Sequence, residues 1–215
     1  MIIGNIMTNK CEVIYQTLKN LIKEPKSELK YNNAFELIIA VLLSAQCTDK
    51  RVNMVTPKLF EKYKTPNDLS KAKLQDVENI IKPCGFYHNK AYNIIELSKK
   101  LVNNFNGQVP STMEDLTTLN GVGRKTANVV LAIWYNVPAI AVDTHVHRVS
   151  NRLGLSKSND VLQIEKDLMN QFEPECWAEL HHLLLLFGRY YCKSQNPKCE
   201  GCVLKSQCEY IKNKE

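Results

Sequence analysis

The chain has 215 residues, a net charge of +6 and 44% hydrophobic residues, which is enough for one or two compact domains with their own cores. The mild basic excess suits a polyanionic partner, although charge alone fits an ordinary basic protein equally well. Residues 1–9 lack the apolar core of a signal peptide, and the longest apolar runs are too short to span a bilayer. These features disfavour a secreted or membrane protein, and we expect a cytoplasmic one.

The pattern of apolar residues predicts helices throughout the chain, and therefore an all-α fold. Ala34–Ser44 is apolar nearly all round, which indicates a helix buried inside a core. Thr65, which precedes a proline, and the segment Ser111–Glu114 have the composition of helix starts, the second as a capping box. Val161–Phe172 predicts an amphipathic helix. Glycines and prolines, Pro57 among them, are expected to separate most of these segments.

Two glycines flank a single residue within residues 119–126, which read LNGVGRKT. Gly121 and Gly123 can adopt backbone angles closed to other residues, and they expose N–H groups beside the start of a predicted helix at 127–135. Such a site favours an anion. A nucleotide-binding P-loop needs a glycine directly before the lysine and four residues between its glycines, so it is excluded. A plain turn between two helices remains the alternative at this point.

Eight cysteines are many for a chain of this size, and four of them crowd into the C-terminal segment. Four thiolates within one short loop can surround a single inorganic centre, either zinc or a [4Fe–4S] cluster, and their spacing alone does not separate the two. The crowded cysteines are Cys192, Cys199, Cys202 and Cys208. The other four are expected to be buried apolar fillers, namely Cys11, Cys47, Cys84 and Cys176.

The segment LNGVGRKTANVV, followed by AVDTHVHRVSNRLG, resembles the helix-hairpin-helix and adjoining segment of the endonuclease III family. Members of that family are DNA glycosylases that remove oxidised pyrimidines. In the family, a lysine just past the hairpin attacks the sugar and an aspartate in the VDTH segment assists it, which corresponds to Lys125 and Asp143 here. The resemblance implies a bifunctional DNA glycosylase and AP lyase of base excision repair. It would cleave the strand by β-elimination through a lysine Schiff base, a step that an activated water could not perform.

Each of these two residues also has a simpler interpretation. Lys125 could be a surface lysine that contacts a phosphate, and Asp143 could cap a helix that begins at Thr144. We expect Lys125 to be partly buried, because burial favours the neutral amine that attacks. One departure from the family is visible, since Asn120 replaces a proline. Asparagine tolerates turn conformations, so a looser hairpin is expected.

Two further segments resemble the parts of the family that fill the gap left when a base is flipped out of the duplex. Residues 44–49, SAQCTD, match a segment whose glutamine probes the gap, here Gln46. Residues 85–91, GFYHNKA, match a segment whose leucine wedges into the stack, and Phe86 holds that place. An aromatic wedge can stack on bases, whereas the alternative is a core residue at a turn. The resemblance assigns further DNA contacts to Gly121, Val122, Gly123, Arg124, Lys193 and Lys198.

The spacing of the four C-terminal cysteines, with six, two and five residues between them, resembles the cluster loop of the same family. The resemblance therefore implies a [4Fe–4S] cluster on Cys192, Cys199, Cys202 and Cys208. In the family the basic residues around these cysteines face DNA. The cluster would then organise a phosphate-binding loop rather than perform redox catalysis.

The resemblance extends from about Ala34 to Cys208 and implies a two-lobed helix-hairpin-helix glycosylase fold. One lobe, residues 27–137, would be a six-helix barrel that ends with the hairpin. The other, residues 1–26 and 138–215, would be a discontinuous lobe carrying the iron–sulfur cluster. Double-stranded DNA with damaged bases or abasic sites would bind between them, to a monomer that in a bacterium works at the nucleoid.

Three alternatives are weighed against this interpretation. An adenine-removing mismatch glycosylase resembles the architecture but lacks the lysine and carries an extra C-terminal domain, which is not expected here. A thymine-mismatch glycosylase is likewise disfavoured by Lys125. A non-catalytic DNA-binding or electron-carrying iron–sulfur protein would use the hairpin only to hold phosphate, and the presence of Lys125 together with Asp143 argues against it.

Overall fold

The computed structural model describes residues 7–213, and every regular element within them is helical. The predicted all-α class is thus confirmed. The chain divides into two compact units, Glu28–Tyr135 and the described parts of Met1–Ser27 with Asn136–Glu215. The sequence analysis predicted lobes of residues 27–137 and of residues 1–26 with 138–215. Among residues 7–213, none of the helices has the length and apolar character that crossing a bilayer demands.

The unit Glu28–Tyr135 contains seven helical segments around one hydrophobic cluster. The resemblance implied a six-helix barrel, and two of the seven segments are only five residues long. The helices are α2 (Ala34–Leu43), α3 (Asp49–Lys62), α4 (Pro66–Ser70), α5 (Leu74–Ile81), α6 (Tyr87–Phe105), α7 (Met113–Thr117) and α8 (Arg124–Trp134).

Helix α2 lies at the centre of this core. Every residue from Phe35 to Leu43 is buried, which confirms the prediction of a helix enclosed on all sides. Its start is fixed by Asn33, whose side chain accepts a hydrogen bond from the Glu36 backbone N–H at 2.8 Å. The Glu36 carboxylate in turn accepts from the Asn32 N–H at 2.7 Å. A helix this apolar and this well capped holds the following loop, residues 44–48, at a defined place.

The second unit packs its helices around another hydrophobic cluster. The helices Thr144–Leu153 and Trp177–Tyr190 lie close together, because a Cβ atom on Gly188 would sit only 2.9 Å from the His145 Cβ. Its helices are α1 (Asn9–Leu21), α9 (Thr144–Leu153), α10 (Val161–Gln171), α11 (Trp177–Tyr190) and α12 (Glu209–Lys212), with short 3-10 turns at Pro174–Cys176 and Lys205–Gln207. Helix α10 confirms the amphipathic helix predicted from Val161, with Asp160 as its N-cap.

The N-caps observed in the structure confirm one predicted helix start and correct another. Thr65 caps α4 with a complete capping box, as predicted. The cap predicted at Ser111 is wrong by one residue, since Thr112 takes that role and accepts from the Asp115 N–H at 3.1 Å. Pro57 does not separate elements, because it lies inside α3. It is exposed there, so it costs the helix one internal hydrogen bond without disturbing the core.

Candidate functional site

The glycine hairpin is held in place from inside. The Val122 N–H donates to the Leu119 carbonyl at 3.1 Å, and the Val122 side chain is buried in the core. Gly121 has a φ of +74°, and a Cβ atom there would lie 2.9 Å from Leu42 Cδ1 and 3.1 Å from the Asn93 side chain. Only glycine therefore fits between α2 and α6. Val122, predicted as a DNA contact, is engaged within the protein by both its side chain and its N–H.

The hairpin leaves the start of α8 open to an anion. Gly123 is the N-cap of the helix and supplies no side-chain hydrogen bond, so the first N–H groups of α8 lack acceptors within the helix. Gly121, Gly123 and Arg124 are exposed beside them. Together with the positive end of the helix dipole, these N–H groups favour a phosphate. The hairpin forms with Asn120 in place of the family's proline.

Gly121 is the hairpin position where a substitution is expected to destabilise the protein most. We expect Gly121→Ala to lower the free energy of unfolding by about 1–3 kcal/mol, from the left-handed backbone and the contact with α2 and α6. Urea unfolding followed by circular dichroism measures the loss. Gly123→Ala is the matched control, since a Cβ there meets nothing within 4 Å and its φ is not positive. Equal stability of the two variants would contradict this account of the hairpin.

Lys125 occupies the first turn of α8, and its side chain is exposed. The expectation of partial burial was wrong. The reason is the register of the helix: Ala127 and Asn128 occupy its buried face, and Lys125 comes just before them on the open side. The amine is thus accessible to a bound molecule at the anion-binding end of the helix.

Asp143 is the N-cap of α9, as the simpler interpretation proposed. Its Oδ1 accepts from the backbone N–H groups of His145 and Val146, both at 2.8 Å. Both bonds use the same oxygen, so Oδ2 is not needed for the cap. The two N–H donors fix the orientation of the half-buried carboxylate. Capping and a chemical role for the second oxygen are therefore compatible.

Gln46 and Phe86 share an unusual backbone conformation. Their φ angles are +51° and +57°, in the left-handed region that costs a non-glycine residue about 1–2 kcal/mol. Both side chains are exposed, and Phe86 has 66% of its surface accessible. The alternative of a core residue at position 86 is therefore wrong. The loops touch, because a Cβ atom on Gly85 would lie 3.7 Å from the Gln46 carbonyl oxygen.

Lys90 supports these two loops, a role that the sequence analysis did not identify. Its side chain is buried, and its Nζ donates to the Leu43 carbonyl at 2.9 Å. Burial lowers the pKa of the Lys90 ammonium from its usual value. The bond joins α6, which begins after Phe86, to the last turn of α2, which precedes Gln46.

The four C-terminal cysteines line one cavity of about 1070 Å³ in the second unit. Burial raises the pKa of the Cys202 thiol, and Cys192, Cys208 and Cys199 raise it further as neighbouring ionisable groups. The four side chains are thus near one another. In the arrangement that the structure gives residues 7–213, no three His, Cys, Asp or Glu side chains are already positioned as a set of metal ligands.

Two arginines of α9 hold the cysteine loop, and neither was predicted from the sequence. Arg152 donates to Cys192 Sγ at 3.2 Å and to the Lys193 carbonyl at 2.7 Å. Arg148 donates to the Cys192 carbonyl at 3.1 Å and to the Gly188 carbonyl at 2.7 Å. Their spacing of four residues places them on one helix face. A cationic donor at a cysteine sulfur favours the thiolate, which is the form that binds metal.

The basic residues around the cavity differ in their availability. Lys193 and Lys198 line it and are exposed, as a phosphate-contacting role requires. Lys205 instead pairs with Glu200 at 3.4 Å.

Of the scattered cysteines expected to be buried, two are buried and two are only half-buried. The buried ones are Cys11 and Cys84, and the half-buried ones are Cys47 and Cys176.

A glycine hairpin before a helix that has no side-chain cap, among residues 7–213 whose regular elements are all helical, is typical of helix-hairpin-helix proteins that bind phosphate backbones. Residues 39–174 match the family described as HhH-GPD superfamily base excision DNA repair protein. The chain belongs to this superfamily and, within it, to the endonuclease III family. Endonuclease III of Bacillus subtilis is 48% identical over 198 residues, covering 92% of this chain and 90% of the relative. That of Escherichia coli is 44% identical over 186 residues, covering 86% and 88%.

Solved structures give the same result. Endonuclease III trapped as a covalent intermediate with DNA matches with a TM-score of 0.91 at 46% identity, covering 97% of this chain and 99% of that one. A thermostable thymine-DNA glycosylase matches with a TM-score of 0.85 at 23% identity, covering 95% and 97%. The second match shows a common fold and nothing about the reaction.

Proposed function

We propose that this protein is a bifunctional DNA glycosylase and AP lyase of base excision repair. It removes oxidised pyrimidines from duplex DNA and then cleaves the strand by β-elimination. The observation that carries the proposal is the exposed amine of Lys125 beside the uncapped N-terminus of α8, in a chain of the endonuclease III family. The trapping of a related endonuclease III as a covalent intermediate with DNA supports the same type of chemistry.

Lys125 is the proposed nucleophile. Its neutral amine attacks C1′ of the damaged nucleotide, the bond to the base breaks, and the base leaves with a proton. Opening of the sugar ring gives an imine between Lys125 and C1′. Loss of a proton from C2′ then expels the 3′ phosphate, which breaks the strand, and water hydrolyses the imine to release the lysine. A phosphate held at the N–H groups of α8 would place the sugar near the amine.

Asp143 is proposed to act on the same sugar through the carboxylate oxygen that its cap does not use. A fixed negative charge stabilises the cation that develops at C1′ as the base leaves. The same oxygen can accept and return protons during the imine steps. Its orientation is set by the bonds to the His145 and Val146 N–H groups.

The two roles of Asp143 can be separated by one substitution. In Asp143→Asn the side-chain oxygen still caps α9, so the free energy of unfolding should stay within about 0.5 kcal/mol of the wild type. Base excision should fall by roughly 10²–10³-fold, since the charge near the developing cation is lost. Single-turnover excision and urea unfolding measure the two effects. Unchanged excision would mean that Asp143 serves only as a cap.

The protein is proposed to hold the distorted duplex with Gln46 and Phe86. A flipped base leaves a gap in the stack that must be filled, and both side chains project from strained loops into solvent. Gly121, Gly123 and Arg124 would bind the phosphate backbone at the hairpin, with Val122 supporting them. Lys193 and Lys198 would contact phosphates at the cysteine loop. A monomer acting on chromosomal DNA in the cytoplasm is the proposed setting.

The residues that would hold a [4Fe–4S] cluster are Cys192, Cys199, Cys202 and Cys208. Their fit rests on the shared cavity and on the Arg152 guanidinium beside Cys192 Sγ, since such donors stabilise thiolate ligands. When bound, the cluster supplies cross-links that fold the loop, while Lys193 and Lys198 on that loop bind DNA. The choice of iron over zinc is supported by membership of the endonuclease III family and by the resemblance of the cysteine spacing to that family's cluster loop.

A duplex with a single thymine glycol tests the proposed function. Purified protein should release the damaged base and leave a nicked strand that ends in an unsaturated aldehyde, whereas the undamaged duplex stays intact. Denaturing electrophoresis of end-labelled strands measures both products. A protein that binds this duplex tightly but leaves its base and strand intact would be the non-catalytic alternative.

A further inference from the structure

The structure assigns a second chemical site to the first unit: we propose that Cys47 and Cys84 form a thiol pair that is converted reversibly to a disulfide by small disulfides such as glutathione disulfide. The pair belongs to the two strained loops, because Cys47 directly follows Gln46 and Cys84 lies two residues before Phe86. It is separate from the four cysteines of the second unit. The chemistry does not depend on the proposed repair reaction.

The backbone geometry brings the two cysteines together. The Gln46 carbonyl oxygen lies 3.7 Å from the Cβ position of Gly85, so the two chain segments are in contact at that point. Cys47 follows Gln46, and Cys84 precedes Gly85, so the cysteines are the next residues on each segment. Cys84 is buried in the hydrophobic cluster of this unit, and Cys47 packs against that cluster. The two thiols are close enough for the Cys47 thiol to raise the pKa of the Cys84 thiol, and both are unbridged.

The different exposure of the two thiols determines the order of the steps. Cys47 is half-buried, whereas Cys84 is fully enclosed, so Cys47 meets the oxidant first. Its thiolate attacks one sulfur of glutathione disulfide, the S–S bond breaks, and glutathione leaves as a thiol. The Cys84 thiolate then attacks the Cys47 sulfur of this mixed disulfide and releases a second glutathione. The two thiol protons end on the two released glutathione molecules. The protein loses two electrons, and glutathione disulfide is reduced by them to two thiols.

The second step is controlled by the surroundings of Cys84. Burial, followed by the neighbouring Cys47 thiol, raises the pKa of the Cys84 thiol to about 11, against the opposing effect of the cations Lys90 and Arg51. Because only the thiolate attacks, closure of the disulfide should become faster as the pH rises toward that value. At neutral pH the mixed disulfide on Cys47 should precede the closed form.

A closed Cys47–Cys84 bond would tie the ends of the segment that contains α3, α4 and α5. A cross-link restricts the open states of the chain between its ends. Amide hydrogen exchange in residues 48–83 should therefore slow in the oxidised protein and recover after treatment with dithiothreitol. Where the proposed function holds, the loops that carry Gln46 and Phe86 become stiffer in the oxidised form.

The experiment uses the full-length protein with its metal content checked before and after treatment with glutathione disulfide. Trypsin releases residues 31–50 and 74–90 as separate peptides with one cysteine each, because the bond between Lys82 and Pro83 resists cleavage. The expected product is a cross-linked pair of these peptides that is two hydrogens lighter than their sum. It should disappear after reduction.

Three variants make the test specific. Cys84→Ser should accumulate glutathione on Cys47, since the thiol that resolves the mixed disulfide is absent. Cys47→Ser should give neither product, and Cys176→Ser should behave like the wild type. The proposal is overturned if the wild type accumulates only glutathionylated Cys47. It is also overturned if Cys47 and Cys84 remain reduced while another cysteine is modified.

Discussion

Replacing Lys125 with alanine is expected to lower single-turnover strand cleavage of a thymine-glycol duplex by about 10³-fold or more, because the covalent route loses its nucleophile. The fold should be unaffected, since the side chain is exposed in the first turn of α8. Binding of the duplex should change by less than about tenfold, which corresponds to roughly 1.4 kcal/mol. A quenched-flow time course with excess enzyme measures the chemical step, and titration of labelled duplex measures the affinity.

The matched control for this variant is Lys58→Ala, which removes an exposed lysine from α3 in the same unit. It lowers the net charge by the same amount and should leave the chemical step unchanged. A loss of affinity without a loss of single-turnover rate in Lys125→Ala would assign Lys125 to phosphate binding. That result would contradict its role as nucleophile.

Replacing Cys202 or Cys208 with alanine is expected to remove most of the iron and acid-labile sulfide from the purified protein. A site that needs four ligands is lost when one thiolate is missing, and the folding energy supplied by the metal is lost with it. The second unit should therefore unfold at a lower temperature. Elemental analysis, sulfide determination and calorimetry measure the three quantities. Cys176→Ser is the control, because Cys176 lies outside the cysteine cavity.

Arg152→Ala tests whether the Arg152 guanidinium stabilises the cysteine loop that begins at Cys192. The variant removes the donor at Cys192 Sγ and the bond to the Lys193 carbonyl, and loss of such a supporting contact typically weakens metal binding by about 10–100-fold. Iron should therefore be released faster to a chelator than in the wild type. Zinc in place of iron in the wild-type protein, without sulfide, would contradict the [4Fe–4S] assignment while leaving the four ligands in place.

Structural features that depend on residues close together in the chain could be predicted from the sequence alone. The apolar run of α2, the cap at Thr65 and the two-glycine hairpin each depend on residues that are close along the chain. The anion-binding end of α8 follows from the same short segment. The domain boundaries and the roles of Lys125 and Asp143 depend instead on resemblance, because no local pattern distinguishes a nucleophilic lysine from a phosphate-binding one.

The features that sequence analysis missed are contacts between residues far apart in the chain. Lys90 bonds to Leu43, 47 residues away, and Arg152 reaches the loop that begins at Cys192, 40 residues away. Nothing near a lysine or an arginine in the sequence specifies such a partner. The wrong expectation for Lys125 has a similar origin, since its exposure is decided by which face of α8 packs on the core.

The left-handed backbone conformations of Gln46 and Phe86 could not be predicted from the sequence either. Neither residue type prefers that region. Each loop is attached to a helix at one end, since α2 ends before Gln46 and α6 begins after Phe86. Lys90 joins these helices, and the contact between Gly85 and Gln46 brings the loops together. The position of each side chain is therefore set by packing, while only its identity is encoded locally.

Reductive trapping of the enzyme on damaged DNA tests the central claim most directly. Borohydride added during turnover should convert the imine to a stable amine, and the cross-linked protein should migrate as a DNA adduct on denaturing gels. Digestion and mass spectrometry should place the modification on Lys125 alone. Adduct formation by Lys125→Ala at the wild-type rate, or an adduct that maps to a different amine, would contradict the account.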